Sequence, residues 1–299
     1  MPILAGFTVP HPPILIPGVG RGEERGAQST LDSFAEVGRR IAELAPELVV
    51  MTTSHGRLYR DVLCVSSGTS ARGDFSNFNC RDEVIDVQYD QEFVAALLDE
   101  AHAAGTSGRA PGGTLSGTVS DDLPGLPLIP TAPGETLDHG CLVPLHFILS
   151  AQPPAFKLAR IQISFADEAT HFAVGQAIAR TVQQLGRRAV FVASGDCSHR
   201  LKTDGPYGFN PAGPVMDELI CTALANGDFE PLMQVDPILR EDAGECGLNS
   251  FLILAGALAE QTRLNGAPFS AQLLSYEGPW GVGYAVAEFA AIANQGPAA

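Results

Sequence analysis

RRAVFVASGDCSHR, residues 187–200, changes character halfway along. Arg188 to Ala193 reads as a strand, and Gly195 to Gly213 as a polar loop containing glycine and proline. Just upstream, Asp167 to Leu185 reads as a helix with Asp167 at its start. Helix and strand in alternation are the mark of a layered α/β fold. The same alternation continues in both directions. Ile3 to Val9, Leu48 to Thr53, Asp61 to Ser66 and Lys157 to Ser164 read as strands. Ser29 to Leu44, Gln91 to Ala104, His139 to Leu149, Pro214 to Asn226 and Gly247 to Gln261 read as helices. Asp90 is the candidate N-cap of the second of these helices and Gly105 its stop. Gly105 to Glu135 is rich in Gly, Pro, Ser and Thr and reads as loop with room for one short strand. Ser270 to Tyr276 and Val282 to Phe289 close the chain as two strands, and only Asn294 to Ala299 are expected to fray. With neither internal repeat nor linker in view, the expectation is a single domain over residues 1–299.

Composition narrows the function. The chain has 299 residues, 45% of them hydrophobic, enough for a large core. A net charge of −16 repels phosphate backbones, so nucleic acid is not an expected partner. Met1 to Val9 is apolar, but no Lys or Arg precedes it and prolines interrupt it at once, which argues against a signal peptide. No uninterrupted apolar stretch reaches the roughly 18 residues a membrane span requires. The six cysteines include no C-x-x-C pair, and scattered single thiols suit a reducing compartment. The expectation is a cytoplasmic protein.

Histidine placement carries the chemistry. His11 follows the strand Ile3 to Val9 by two residues, in V-P-H-P-P. His55 follows Leu48 to Thr53 by two, in T-T-S-H-G. His199 lies a few residues beyond Arg188 to Ala193. Ligands of open α/β sheets bind beyond the carboxyl ends of strands, so three neighbouring parallel strands would bring these imidazoles into one crevice. Each alone reads as an ordinary loop or capping residue. Two histidines plus a carboxylate make a facial triad for Fe(II). Glu245, in A-G-E-C-G, is the carboxylate candidate. It reads equally well as a first-turn acid complementing a helix dipole. Cys246 and Cys197 are possible soft ligands or small buried thiols. Asp196 can orient an imidazole or bond its own backbone. His139 can be a second acid–base group or a first-turn residue behind an N-capping Asp138. His102, His146 and His171 read as structural. Tyr276 and Trp280 lie in an aromatic, glycine-rich segment that fits a pocket wall for a flat ring, a hairpin turn, or both. Gly18 to Gly22 has the wrong spacing for a dinucleotide loop, and neither a G-x-S-x-G elbow nor a P-loop occurs.

The run of motifs V-P-H-P-P, T-T-S-H-G, L-D-H-G (His139), S-G-D-C-S-H-R, G-E-C-G and S-Y-E-G-P-W-G-V-G-Y-A resembles the class III (LigB-type) extradiol ring-cleavage dioxygenases nearly end to end, and most closely the AmmeMemoRadiSam-system-associated branch. The resemblance implies a three-layer α/β/α sandwich around a mixed, largely parallel sheet. It implies His11, His55 and Glu245 as metal ligands, and His199, with His139, as acid–base residues. Fe(II) is the implied cofactor, with Zn or Cu as alternatives. A small aromatic diol and O₂ are the implied substrates, in a homo-oligomer. Cys246 beside Glu245 can shift the preference toward copper or redox sensing. The alternatives at this point are an iron- or copper-binding redox partner of a radical-SAM system without ring cleavage, a zinc hydrolase on the same scaffold, and a non-enzymatic domain.

Overall fold

The structure is a computed structural model and describes residues 2–107 and 125–292. Its strands are β1 (Ile3–Val9), β2 (Leu48–Thr53), β3 (Leu63–Val65), β4 (Ser70–Phe75), β5 (Cys80–Gln88), β6 (Leu128–Pro130), β7 (Lys157–Gln162), β8 (Ala189–Ser194), β9 (Phe269–Glu277) and β10 (Tyr284–Ala291). The helices are α1 (Pro17–Gly20), α2 (Gln28–Leu44), α3 (Gln91–Ser107), α4 (His139–Ser150), α5 (Glu168–Leu185), α6 (Ala212–Asn226), α7 (Pro237–Ala243) and α8 (Leu248–Asn265). Eight strands form one sheet in the order β6-β3-β7-β2-β8-β1-β10-β9. β7, β2, β8 and β1 are parallel neighbours. β10 runs antiparallel to both β1 and β9, and β3 antiparallel to β7, so the sheet is mixed.

Alternation along the central strands explains the layering. Leu48 and Val50 of β2 and Phe191 of β8 enter one core, with residues of α3, α5, α6 and α8. Val49 and Met51 of β2 and Val190 and Val192 of β8 enter the other, with α2, α4 and the β4–β5 hairpin. Strands covered on both faces need apolar residues at every position, which is why these stretches lack polar alternation. The result is the expected three-layer α/β/α sandwich.

The element boundaries hold with local differences. The second long helix runs past Gly105 to Ser107, and Asp90 caps it as expected, accepting the Phe93 N–H at 3.2 Å. Asp167 caps α5 through the Thr170 N–H. Of the expected loop from Gly105 to Glu135, β6 is the short strand and 108–124 lie outside the described residues, as does the tail 294–299. The final strand begins at Tyr284, because Gly281, at φ +88, still belongs to the preceding turn. Elements new to the structure are the separate β4–β5 hairpin and the short helices α1 and α7. No helix among the described residues is long and apolar enough to cross a membrane.

α5 and α8 cross at two glycines. A β-carbon at Gly175 would fall on the Ile253 carbonyl oxygen, and one at Gly256 on that of Phe172. Both obstacles are backbone, which cannot swing aside. Gly175→Ala is therefore expected to destabilise the protein by about 1–3 kcal/mol or more, despite the better helix propensity of alanine. Urea denaturation checks this; an unchanged midpoint would mean that the helices separate freely.

Candidate metal centre

Since β2, β8 and β1 are parallel neighbours, the loops leaving their carboxyl ends emerge side by side, and each carries one of the expected histidines. His11 leaves β1, His55 leaves β2 and His199 leaves β8. His139, the first residue of α4, stacks on His55 with ring centroids 3.9 Å apart. The four imidazoles meet in one place.

The Nε2 atoms of His11 and His55 face each other at 2.8 Å. The other nitrogen of His11 fixes its tautomer. Nδ1 lies 2.9 Å from Ser194 Oγ, whose own proton goes to the Gly140 carbonyl at 2.6 Å. Ser194 therefore accepts from Nδ1–H, which leaves a bare lone pair on His11 Nε2. The Sγ of Cys246 lies 3.5 Å from that same Nε2. His11, His55 and Cys246 thus bring three potential ligand atoms within 4.8 Å of one another. Asp196, His199 and Cys246 form a second such group that shares the thiol.

Burial sets the electrostatics. It drives His11 well below the ordinary histidine value, helped by the positive character of His55, His139 and His199. It brings His55 down to about 4 and also lowers His139 and His199. All four rings are therefore neutral at pH 7, the form in which imidazole binds a metal or accepts a proton. Burial also pushes the Cys246 thiol well up. Asp196 accepts the His11 backbone N–H at 2.8 Å, approaches His199 Nε2 at 4.0 Å, and is pushed up to about 7 by desolvation. His199 Nδ1 is buried, with the backbone of Gly244 and Cys197 nearby.

Glu245 is not brought into this set. Its Oε1 accepts from Arg240 Nε at 2.6 Å and its Oε2 from the Leu248 N–H, the first residue of α8, at 2.6 Å. The same arginine also binds Glu168 and Asn249. Glu245 therefore behaves as the acid at a helix N-terminus, and its neighbour Cys246 turns to the histidines. Of the two aromatic candidates, Trp280 lines the cavity above the centre and Tyr276 does not. That cavity is about 420 Å³, walled by Pro12, Ile14, Phe78, Tyr207, Trp280 and Tyr284 around the histidines.

Sequence reasoning missed Arg160. It is 1% exposed and binds Ser66 Oγ, the Thr136 carbonyl and Glu135, with Asp138 at 3.5 Å. Asp138 makes no side-chain cap to α4; it accepts the Thr53 hydroxyl at 2.6 Å instead. The start of α4, and with it His139, is thereby tied to the end of β2. An arginine between apolar Leu158, Ala159 and Ile161 in a strand was the available signal.

Asp196→Asn should stabilise the metal-free protein at alkaline pH. The folded state keeps this carboxyl protonated up to about pH 7, whereas the unfolded chain releases the proton near the ordinary value of 3.8. Folding is therefore penalised progressively as pH rises from 3.8 to 7 and fully above it, and not at all below. The expected gain in Tm is several degrees at pH 8, at about 2–4 °C per kcal/mol, vanishing by about pH 3. A gain independent of pH would disprove the assignment.

The family profile described as the catalytic LigB subunit of aromatic ring-opening dioxygenase matches residues 5–287. Protein CA_C1420 of Clostridium acetobutylicum is 33% identical over 288 residues, 96% of this chain but 58% of its own length. A MEMO1 family protein of Methanosarcina mazei is 27% identical over 143 residues, 48% of each chain. The chain thus spans about half the length of these curated relatives. Among solved structures, an uncharacterized protein of Escherichia coli K12, JW3007, superposes with a TM-score of 0.55 at 16% identity, covering 95% of this chain and 99% of the other, a likeness of fold. With its profile match spanning nearly every described element, from β1 to β10, the chain belongs to the LigB family.

Proposed function

We propose that this protein is a metal-dependent oxidoreductase that opens a small catechol-type ring with O₂, at an Fe(II) centre held by His11, His55 and Cys246. The observation that carries the reading is the convergence of two neutral imidazoles and a thiol beneath an aromatic-walled cavity, with two further histidines beside them. A site that only stores a metal needs neither an open cavity nor spare acid–base groups.

The donor set fits a metal. The lone pair of His11 Nε2 already points at a partner, and in the metal-free protein the Nε2–H of His55 fills that role. Mixed imidazole and thiolate donors suit iron, copper and zinc. When bound, Fe(II) would supply activation of the diol and of O₂ at open positions. The protein would do the rest. Phe78, Tyr207 and Trp280 would hold a flat ring, and the cavity wall would limit water. His199, held neutral by burial and lining the cavity, would take a phenolic proton and later return it. Asp196 beside its Nε2 would steady the imidazolium. His139, stacked on His55, would assist.

One observation favours a second reading. The thiol of Cys246 stands where a facial triad has a carboxylate, and thiolates favour copper and redox roles. Together with the likeness to a MEMO1 family protein, this supports a redox or metal-handling partner of a radical-SAM system without ring cleavage.

Anaerobic reconstitution with Fe(II), followed by oxygen uptake on a panel of catechols, separates the two. Ring opening predicts stoichiometric O₂ consumption with a coloured ring-fission product. His199→Ala should keep its iron and lose about 10²–10⁴-fold in rate. Cys246→Ser should lose iron, whereas Glu245→Gln should retain it. Equal iron loss in both would return Glu245 to the centre, and no uptake with iron still bound would leave the metal-handling reading.

A further inference from the structure

α6 carries a buried carboxylate that takes no part in the centre. Asp217 is 1% exposed; its Oδ1 accepts the Ser198 N–H at 2.6 Å and its Oδ2 accepts the Tyr276 hydroxyl at 2.6 Å. Both donors are neutral. Burial pushes this carboxyl up to about 6 against the pull of those two hydrogen bonds. Burying a carboxylate between neutral donors costs more than burying an apolar side chain of similar size. The fold nevertheless makes room for it: a β-carbon at Gly283 would fall on Asp217 Oδ2.

The position of Ser198 shows what the carboxylate does. Asp196 lies two residues before it and His199 one after. The loop is also laced to the turn between β9 and β10. The Cys197 N–H donates to the Gly283 carbonyl at 2.9 Å, the Gly283 N–H to the Ser198 carbonyl at 2.8 Å, and the Leu201 N–H to the Gly281 carbonyl at 3.1 Å. That turn supplies Trp280 and Val282 to the cavity wall. Tyr276, which the sequence suggested for the pocket, reaches Asp217 from the end of β9 instead.

We propose that Asp217 is a positioning residue for His199, fixing the spacing between the acid–base imidazole and the ring-binding wall through the Ser198 amide and the Tyr276 hydroxyl. The proposal rests on the proton-transfer role given to His199 above. Asp217 touches neither substrate nor metal; it acts through Ser198.

The test uses the full chain, loaded with Fe(II) for kinetics and Zn(II) for spectroscopy, in Asp217→Asn, Asp217→Leu and Tyr276→Phe variants. Asparagine keeps an acceptor for the Ser198 N–H and offers an N–H to the tyrosine oxygen; leucine offers neither. All variants should bind metal as the wild type does. Asp217→Leu should lose about 10²-fold in kcat on catechol with a small change in KM, as expected for a misplaced catalytic group. Asp217→Asn should recover to within about threefold of wild type. In ¹⁵N-histidine-labelled protein the His199 ring resonances should move in the leucine variant and return in the asparagine variant, while those of His11 and His55 stay in place. Should the leucine variant fail to fold, Tyr276→Phe replaces it, with a smaller loss and the same selective movement of His199. An asparagine variant as impaired as the leucine one, or His199 resonances unmoved, overturns the proposal. If wild-type protein turns over no diol, the ring-opening reading fails, and the resonances alone decide the positioning role.

Discussion

Two imidazole nitrogens 2.8 Å apart repel each other unless a proton or a cation lies between them. The His11–His55 contact is the constraint from which the rest of the site follows. Water could relieve it by solvating each ring separately, but His11 is 1% exposed and its other nitrogen is committed to Ser194. The remaining ways out are a shared proton and a metal ion. Keeping the rings this close therefore requires strands stiff enough to hold them. β1 and β8 and β2 and β8 are locked in parallel register up to Ser194 and Ala193.

The same economy governs the charges. Among the residues lining the cavity, Asp196 is the sole carboxylate, and desolvation lifts it toward neutrality. Burial works on the histidines in the same sense, favouring their uncharged forms. A site of neutral rings, a neutral thiol and a carboxyl near half-protonation tolerates burial. Stability is given up to keep Asp196 there, the usual exchange at functional sites.

Much of this was legible in the sequence because the informative residues sit beside punctuation. Pro10, Pro12 and Pro13 around His11, and Gly56 after His55, mark where strands stop and the chain turns, so strand ends and site residues announced themselves together. The strand order was not legible, since nothing local says that β8 lies between β2 and β1. The β4–β5 hairpin escaped because its residues are largely charged or polar, with Ala71, Phe75, Ile85 and Val87 spaced too thinly to stand out. Asp217 and Arg160 escaped for a different reason. A buried charge on a helix or strand looks like a solvated one until its partners, distant in sequence, are known.

Glu245 and Cys246 are the sharpest case. The two are adjacent in sequence, yet Glu245 turns to Arg240 and Cys246 to His11. Composition favours the glutamate as ligand; in the structure both of its carboxylate oxygens are bonded elsewhere. Arg240, five residues earlier on α7, lies on the far side of the turn and binds Glu245 at 2.6 Å, while the free Leu248 N–H at the head of α8 takes its second oxygen. Two charge-assisted hydrogen bonds, each worth about 1.5–3 kcal/mol, hold the carboxylate away from the cavity. What then faces His11 is a thiol, which binds a metal only after losing its proton and which can itself be oxidised. The arginine on α7 thus fixes which of the two adjacent side chains lies beside His11.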